Sequence, residues 1–370
     1  MDRHDVPGIT ALEIAEGHKQ DMKLQHKYKC NVMTYWFDEK KGTAFCLVEA
    51  PNKKSVKDLH KNAHGLVPNY VIEVDTVLVE AFLGRIGDPH SEVIKDSDNK
   101  NDVLMDSAFR TIMVTELKDT VLIKSRLNNK KSSEIIRTHN NIIQSSIEKY
   151  EGTLVKETFE GFIVSFNSVT NSIKSAIDIQ KRIKSFNSLK PVVEVRVGIG
   201  LTAGEPVTGK NNIFGDVVDL AKRLCYITDN NQIMLSSTVT EHYDMNRNEK
   251  APGENSIKSL FPVDEEFLNR LMNLTEKIWN RNVFNVNDFG KEIGLSKSQF
   301  YRKLTSLTGH SPVEFIKDYR LKKAAQLIDQ HKGNISQIAF ESGFSNPSYF
   351  TQCFHKKFGI LPSEYEASVA

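Results

Sequence analysis

Residues 335–365 read I-S-Q-I-A-F-E-S-G-F-S-N-P-S-Y-F-T-Q-C-F-H-K-K-F-G-I-L-P-S-E-Y. Asn334 precedes a short apolar-periodic segment that Gly343 ends, and Asn346 then caps a second helix with Pro347 at its first position, where a missing N–H costs nothing. Phe350, Phe354 and Phe358 repeat at i, i+4 and i+8 and form one apolar stripe. A helix, a short glycine turn and a helix make a helix-turn-helix pattern. The same grammar occurs about fifty residues upstream. There Val286, Phe289 and Ile293 form a stripe, Gly294 ends it, and Ser296 caps a helix carrying Gln299 at its third position and Phe300, Leu304 and Leu307 on one face. The endings also correspond: G-H-S-P-V-E-F at 309–315 against G-I-L-P-S-E-Y at 359–365. Between the units, 311–330 reads as one long helix opened by a Ser-Pro-Val-Glu capping box. Two such units on a stiff spacer suit successive major-groove turns, roughly 34 Å apart.

Charge supports that reading. Between residues 270 and 360 fourteen Lys and Arg face seven Asp and Glu, whereas the whole chain carries only +2. A basic, all-helical terminal module is a nucleic-acid candidate. Residues 267–367 resemble the DNA-binding domain of the AraC/XylS family of transcription regulators. The resemblance implies base reading by the exposed faces of the two recognition helices: Ser298, Tyr301 and Arg302 from the first, Pro347, Ser348, Tyr349 and Gln352 from the second. Arg suits guanine and Gln adenine through paired hydrogen bonds. Pro347 offers only apolar contact. Lys297, Lys303, Lys356 and Lys357 are expected to meet phosphates, which position without specifying.

The chain has 370 residues, 39% hydrophobic and 26% charged, the composition of a globular protein of two or three domains. No apolar run reaches the ~18–20 residues of a membrane helix, and residues 1–30 are too polar for a signal peptide. Four scattered cysteines make no disulfide framework, so a reducing cytoplasm is expected. The division expected is 1–84, a linker at 85–106, 107–245, a second linker at 246–262, and 263–370. The 85–106 stretch holds six acids, three bases and few large apolar groups.

In the middle segment the patterns predict a strand at 111–117, a helix at 133–150, a hairpin at 153–166 turning near Glu160–Gly161, and a helix at 169–186. A strand at 192–201, a helix at 216–227 and a strand at 232–235 follow. The stretches F-R-T-I-M-V-T-E-L (109–117), V-K-E-T-F-E-G-F-I-V-S-F (155–166), V-R-V-G-I-G-L-T-A-G-E-P-V (195–207) and F-G-D-V-V-D-L-A-K-R-L (214–224) resemble the class III nucleotidyl cyclase homology domain. That family binds two metal ions with two aspartates, whose positions hold Glu116 and Glu160 here. The extra methylene moves each carboxylate by about 1.5 Å, and Mg²⁺ tolerates little displacement. Phe159 replaces a glycine, and Asp219 replaces the ribose-orienting asparagine. Arg223 is retained at the transition-state position, while Lys156 and Asp216 occupy base-selecting positions. The substitutions argue against efficient turnover. The resemblance also implies a homodimer, because class III sites form across a two-fold interface.

The first eighty residues predict strands at 31–38 and 43–49 and a helix at 10–28 capped by Thr10 and Glu13. A helix at 53–64 ended by Gly65 and a last strand at 70–79 complete a β-α-β-β-α-β order, that of a ferredoxin-like sandwich. His60 and His64 lie at i, i+4 on one helix face, a spacing that converges two imidazoles on one ion such as Ni²⁺ or Zn²⁺. Cys46, His4 and His18 are the candidates to complete the shell, and packing decides which converge. The stretches D-V-P-G-I-T-A-L-E-I-A-E-G-H (5–18), Y-W-F-D-E-K-K-G-T-A-F-C-L-V-E-A-P (35–51) and V-K-D-L-H-K-N-A-H-G-L-V-P (56–68) resemble a small ferredoxin-like family that binds nickel.

The expected fold is therefore multidomain: an α+β ferredoxin-like N-terminal domain, an α/β cyclase-like middle domain and an all-α double helix-turn-helix C-terminal domain. The expected function is sequence-specific transcription regulation, responsive to Ni(II), another divalent transition metal or a nucleotide, with promoter DNA and RNA polymerase as partners and no membrane. The alternatives are a nucleotidyl cyclase converting ATP to cyclic AMP, fused to a DNA-binding module, and a metal-storage protein.

Overall fold

The computed structural model describes residues 1–88, 106–126, 129–158, 160–189, 193–208, 212–228, 231–245, 256–282 and 286–369. Phe159, and most of the two expected linkers (89–105 and 246–255), lie outside them.

The N-terminal domain runs β1 (Asp2–Asp5), α1 (Ala11–Leu24), β2 (Asn31–Asp38), β3 (Thr43–Glu49), α2 (Lys53–Ala63), β4 (Tyr70–Val71) and α3 (Thr76–Leu83). Thr10 and Glu13 form the expected capping box of α1, and a 3₁₀ turn at Gln25–Tyr28 follows it. The sheet order is β2-β3-β1-β4, antiparallel throughout, as a ferredoxin-like sandwich requires. The expected strand at 70–79 is corrected to two residues. Asp75 accepts a hydrogen bond from the Val77 N–H and starts α3, which Gly84 ends in the left-handed region at φ 84°.

The middle domain contains β5 (Arg110–Leu117), α4 (Thr120–Arg126), α5 (Asn129–Lys149), β6 (Thr153–Thr158), β7 (Gly161–Phe166) and α6 (Val169–Ser188). After these come β8 (Val197–Gly204), α7 (Gly215–Ile227), β9 (Ile233–Leu235), α8 (Ser237–Met245) and β10 (Ile257–Ser259). They build one sheet of order β10-β9-β8-β5-β7-β6. β5 lies inside the sheet and is buried on both faces, so Ile112, Met113 and Val114 are consecutive apolar residues instead of alternating with polar ones. Met113 and Leu117 join the core that α5 and α6 cover, whereas Ile112 and Val114 face α7 with Val217 and Ala221. Two expectations change. β8 starts at Val197 rather than 192, because the Asn187 side chain takes both backbone groups of Val195, at 2.7 and 2.9 Å. The expected linker at 246–262 includes β10, which pairs in parallel with β9.

The C-terminal module is helical: α9 (Pro262–Ile278), α10 (Val286–Ile293), α11 (Lys297–Thr308), α12 (Pro312–Asp329), α13 (Ile335–Glu341), α14 (Pro347–Phe358) and α15 (Pro362–Val369). The caps at Ser296, Ser311, Asn334 and Asn346 all form. The first unit has a core around Phe289, Phe300, Leu304 and Phe315, and the second around Phe350, Phe354, Phe358 and Tyr365.

The domains share cores. Trp36, Phe45 and Phe82 of the first pack with Ile112, Val207 and Phe214 of the second. Leu224, Ile227 and Met234 of the second join Leu268, Leu271 and Phe315 of the third. Burial of this much apolar surface is the dominant force holding them together.

Candidate functional site

Strand alternation and register build the first site. Asp2 and His4 project from the same face of β1, and the β1–β3 pairing sets Asp2 opposite Cys46. From α2, His60 reaches the same point, fully buried. Its Nε2 is 3.0 Å from Asp2 Oδ2, and His4 Nε2 is 3.3 Å from Asp2 Oδ1. Asp2, His4, Cys46 and His60 each offer a ligand atom within 4.8 Å of the others. On its other side, His60 Nδ1 meets Asp21 Oδ2 from α1 at 2.9 Å and His64 Nε2 at 3.2 Å. His18 joins neither group. Its ring packs at a tilt against Tyr35, with ring centres 4.7 Å apart, and lies 3.9 Å from Asp88. Asp2 and Asp21 were missed in the sequence. The signal was present in D-R-H-D at 2–5, a period-two pair, and in a carboxylate on the apolar face of α1.

The donor set of two imidazoles, a thiol and a carboxylate fits a divalent transition ion. His4 Nδ1 is buried without a hydrogen-bond partner among the described residues, so the cluster has a buried polar atom with capacity to spare for a ligand. Burial pushes the Cys46 thiol well up, so an ion must displace its proton. Burial alone also pushes His60 down, but Asp2 and Asp21 outweigh it and raise the imidazole to about 10. The sign follows. An imidazolium with a raised folded-state value stabilises fully below the ordinary value of about 6.5, and that stability is lost as pH rises towards 10. The metal-free protein should therefore lose hydrogen-exchange protection in β1–β3 between pH 6.5 and 10, and saturating Ni²⁺ should reverse the trend, because ligands bind deprotonated. Flat protection across that range in the metal-free protein contradicts the assignment.

The second site lies on the α7 side of β5. Glu116, Glu160, Asp219 and Arg223 all line one cavity of about 370 Å³, closed by α9 and α12. Gly161 lets the β6–β7 turn approach β5 so closely that Leu117 N–H donates to Glu160 O at 2.5 Å. Burial pushes Glu116 up, but the ammonium groups of Lys118 (2.8 Å) and Lys322 (3.7 Å) prevail and hold it below the usual carboxylate range. Burial and the nearby Glu116 raise Glu160. Lys322 comes from α12 and also sits 4.1 Å over the Tyr226 ring. Arg223 donates to Asn269 and Asn273 of α9, each at 2.5 Å, and Lys124 pairs with Asp329 of α12 at 2.7 Å. The face assigned by resemblance to a second copy is thus occupied by helices of the same chain. Lys156 is exposed on β6 and Asp216 accepts from Thr208 at the start of α7; neither lines the cavity.

The third site is the pair of helices α11 and α14. Ser298, Tyr301, Arg302, Ser348, Tyr349 and Gln352 are exposed while Phe300, Phe350 and Phe354 are buried beneath them; Pro347 is half-buried. Residues 289–368 match the model of a family described as a helix-turn-helix domain. The HTH-type transcriptional regulator ExsA of Pseudomonas aeruginosa is 38% identical over 82 residues, 22% of this chain and 30% of that protein. The C-terminal module is an AraC-type helix-turn-helix domain. Residues 1–74 match the family described as nickel responsive protein SCO4226-like. Histidine kinase P4 of Formosa agariphila is 26% identical over 365 residues, covering 96% of this chain and 24% of that protein. The matches thus span only 24% and 30% of these relatives' lengths. Among solved structures, an AraC-type regulator from Chromobacterium violaceum (27% identity, TM-score 0.28) covers 30% of this chain and 97% of its own. An adenylate/guanylate cyclase/hydrolase from Silicibacter pomeroyi (23% identity, TM-score 0.32) covers 38% and 83%.

Two lysines of the AraC-type domain are turned inward. Lys303 lies 3.4 Å from Asp264, and Lys357 pairs with Asp318 at 2.7 Å, so both are engaged within the protein instead of standing clear for phosphate. Lys297 and Lys356 are exposed. Arg302 and Gln299 open onto a cleft shared with Gln232, Lys258 and Ser259 of the middle domain. One side of the first recognition helix of the AraC-type domain is therefore walled by β9 and β10. No described helix is long and apolar enough to cross a membrane.

Proposed function

We propose that the chain is a sequence-specific DNA-binding transcription regulator whose N-terminal domain senses a divalent transition-metal ion, nickel foremost, and whose middle domain transmits that state. The observation that carries the reading is the duplicated helix-turn-helix on one spacer helix, α12, with Ser298, Tyr301, Arg302, Ser348, Tyr349 and Gln352 exposed on its two recognition helices. Similarity to a protein named as an HTH-type transcriptional regulator supports it. Asp2, His4, Cys46 and His60 would hold the ion, which acts as a signal and not as a reagent. The docked arrangement is the resting state, because the middle domain walls α11 on one side. An effector must favour one state over the other to act; tight binding alone shifts nothing. A homodimer closed on the Glu116 face excludes α9 and α12 from it, so such a dimer requires these helices to leave the cavity.

The test is selection of genomic fragments by the full chain with and without Ni²⁺. Enrichment of defined promoter sites, altered by the ion, is expected; no preference over random duplex overturns the reading. Incubation with ATP and Mn²⁺ is expected to yield no cyclic AMP, since Lys322, Asn269 and Asn273 engage the carboxylate and arginine that a nucleotide complex needs. The DNA contacts are separable. Arg302→Ala should relax preference at one base position by about 1–3 kcal/mol, whereas Lys356→Ala should weaken all sequences alike and lower the salt slope by about one. Binding curves at several salt concentrations on matched and mismatched sites distinguish the two, and identical behaviour of the variants refutes these roles.

A further inference from the structure

We infer that the cleft between β9–β10 and α11 binds a small organic phosphate, a monoester with an apolar body whose head is held by Lys258 and Arg302. The cleft shares no lining residue with the Glu116 cavity and none with the ion cluster. Its floor is the outer side of the core that joins the middle domain to the helix-turn-helix module: Ile227, Met234, Leu260, Leu295 and Leu307. Its volume is about 760 Å³, within the roughly 300–1,000 Å³ of small-molecule sites. An apolar floor with a few polar groups at the rim is the usual build of such a site.

Charge selects the ligand. Three cations and one acid line the cleft. Lys303 is already engaged, 3.4 Å from Asp264 and 3.3 Å from the Val263 carbonyl. Lys258 and Arg302 are both exposed, and neither has an ion-pair partner among the described residues. β10 is the edge of its sheet, so no further strand covers Lys258. Two uncompensated cations above an apolar floor favour a ligand with two negative charges, and a phosphate monoester carries close to two at neutral pH. Arg302 can meet it with its planar fork and Lys258 as a point charge. Gln232 and Ser306 add neutral donors at the rim.

The two cations belong to different domains, so one anion touching both ties α11 to β10. A guanidinium committed to that anion is withdrawn from base reading. The organic phosphate therefore favours the docked arrangement and weakens specific DNA binding. That effect rests on the regulator reading, whereas the binding itself does not. The DNA backbone is the other source of the same phosphate chemistry.

Titration of the full chain with 1-naphthyl phosphate, followed by calorimetry, is the test. One molecule per chain is expected. The uncharged 1-naphthol and inorganic phosphate, which lacks the apolar body, should each bind at least about tenfold more weakly. Lys258→Gln should weaken 1-naphthyl phosphate by about tenfold or more, and Lys258→Arg should restore it. Far-UV circular dichroism establishes that both variants are folded. On the selected promoter sites, 1-naphthyl phosphate should raise the Kd of the wild type and leave that of Lys258→Gln unmoved. Without ligand, the two proteins should bind DNA alike. No binding of 1-naphthyl phosphate, or binding indifferent to Lys258→Gln, overturns the site. A salt slope for DNA lowered by about one in Lys258→Gln gives the cleft to the DNA backbone and overturns the small-molecule occupant. Binding as expected by a chain that prefers no promoter supports the site and overturns the regulator reading alone.

Discussion

Phe354→Ala is expected to remove about 3–5 kcal/mol from the second helix-turn-helix unit, the cost of deleting a fully buried aromatic ring and leaving a cavity. Phe354 has no exposed surface and is the hub of its core. Its ring centre lies 5.6 Å from Phe350, 4.6 Å from Phe358 and 6.1 Å from Tyr365. These rings clamp α14 onto Leu321, Ala325 and Ile328 of α12 and onto Ile338 of α13. With every 1.4 kcal/mol worth a factor of ten, the unit should open roughly a hundred-fold to several thousand-fold more often. Hydrogen exchange should accelerate through α13, α14 and α15 while α10 and α11, which rest on the separate Phe300 core, keep their protection. Specific DNA retention should fall with it. Unchanged exchange in α14 would mean that the recognition helix does not depend on this core.

Gly161→Ala is the second large effect. A Cβ on residue 161 would lie 1.8 Å from the Thr115 carbonyl oxygen and 2.6 Å from its carbon, with no flexible side chain to yield. Either β7 moves away from β5 or the Glu160 turn opens. Overpacking of this kind costs about 3 kcal/mol or more where only backbone can give. The Leu117 N–H to Glu160 bond should break, and Glu160 should leave the cavity it shares with Glu116. Thermal unfolding with hydrogen exchange on β5 and β7 reads both effects. A variant with wild-type stability and a protected Leu117 amide contradicts the packing described.

What the sequence disclosed is local. The helix-turn-helix units were legible because their caps and stripes lie within a dozen residues of one another, and each cap forms as read. The β6–β7 hairpin was legible for the same reason. Where a second local signal competed, the reading failed. Ile72, Val74, Val77 and Val79 suggest a strand, but Asp75 caps a helix between them. Three residues of β10 are too few to carry a pattern, and their pairing with β9 crosses the chain. The same limit applies to the sites. His60 and His64 show themselves by spacing along one helix, whereas Asp2 and Asp21 arrive from another strand and another helix. His18 lies one turn from Asp21 yet faces Tyr35. Lys322 against Glu116 joins residues more than two hundred positions apart, which no window along the sequence anticipates.

The alternation of β1 has a practical consequence. Asp2 and His4 point to the ion-binding side, and Arg3 between them reaches the middle domain, 3.0 Å from both the Val207 carbonyl and Glu205. Consecutive Cα atoms are about 3.8 Å apart, so the two duties are carried by neighbouring links of one backbone. Altering either acid or imidazole there edits the joint to the next domain in the same stroke, and a regulatory defect in such a variant confounds lost chelation with a slipped hinge. For that reason His60, seated on a different element, is the cleaner handle for separating what the ion does from how the domains are bolted together.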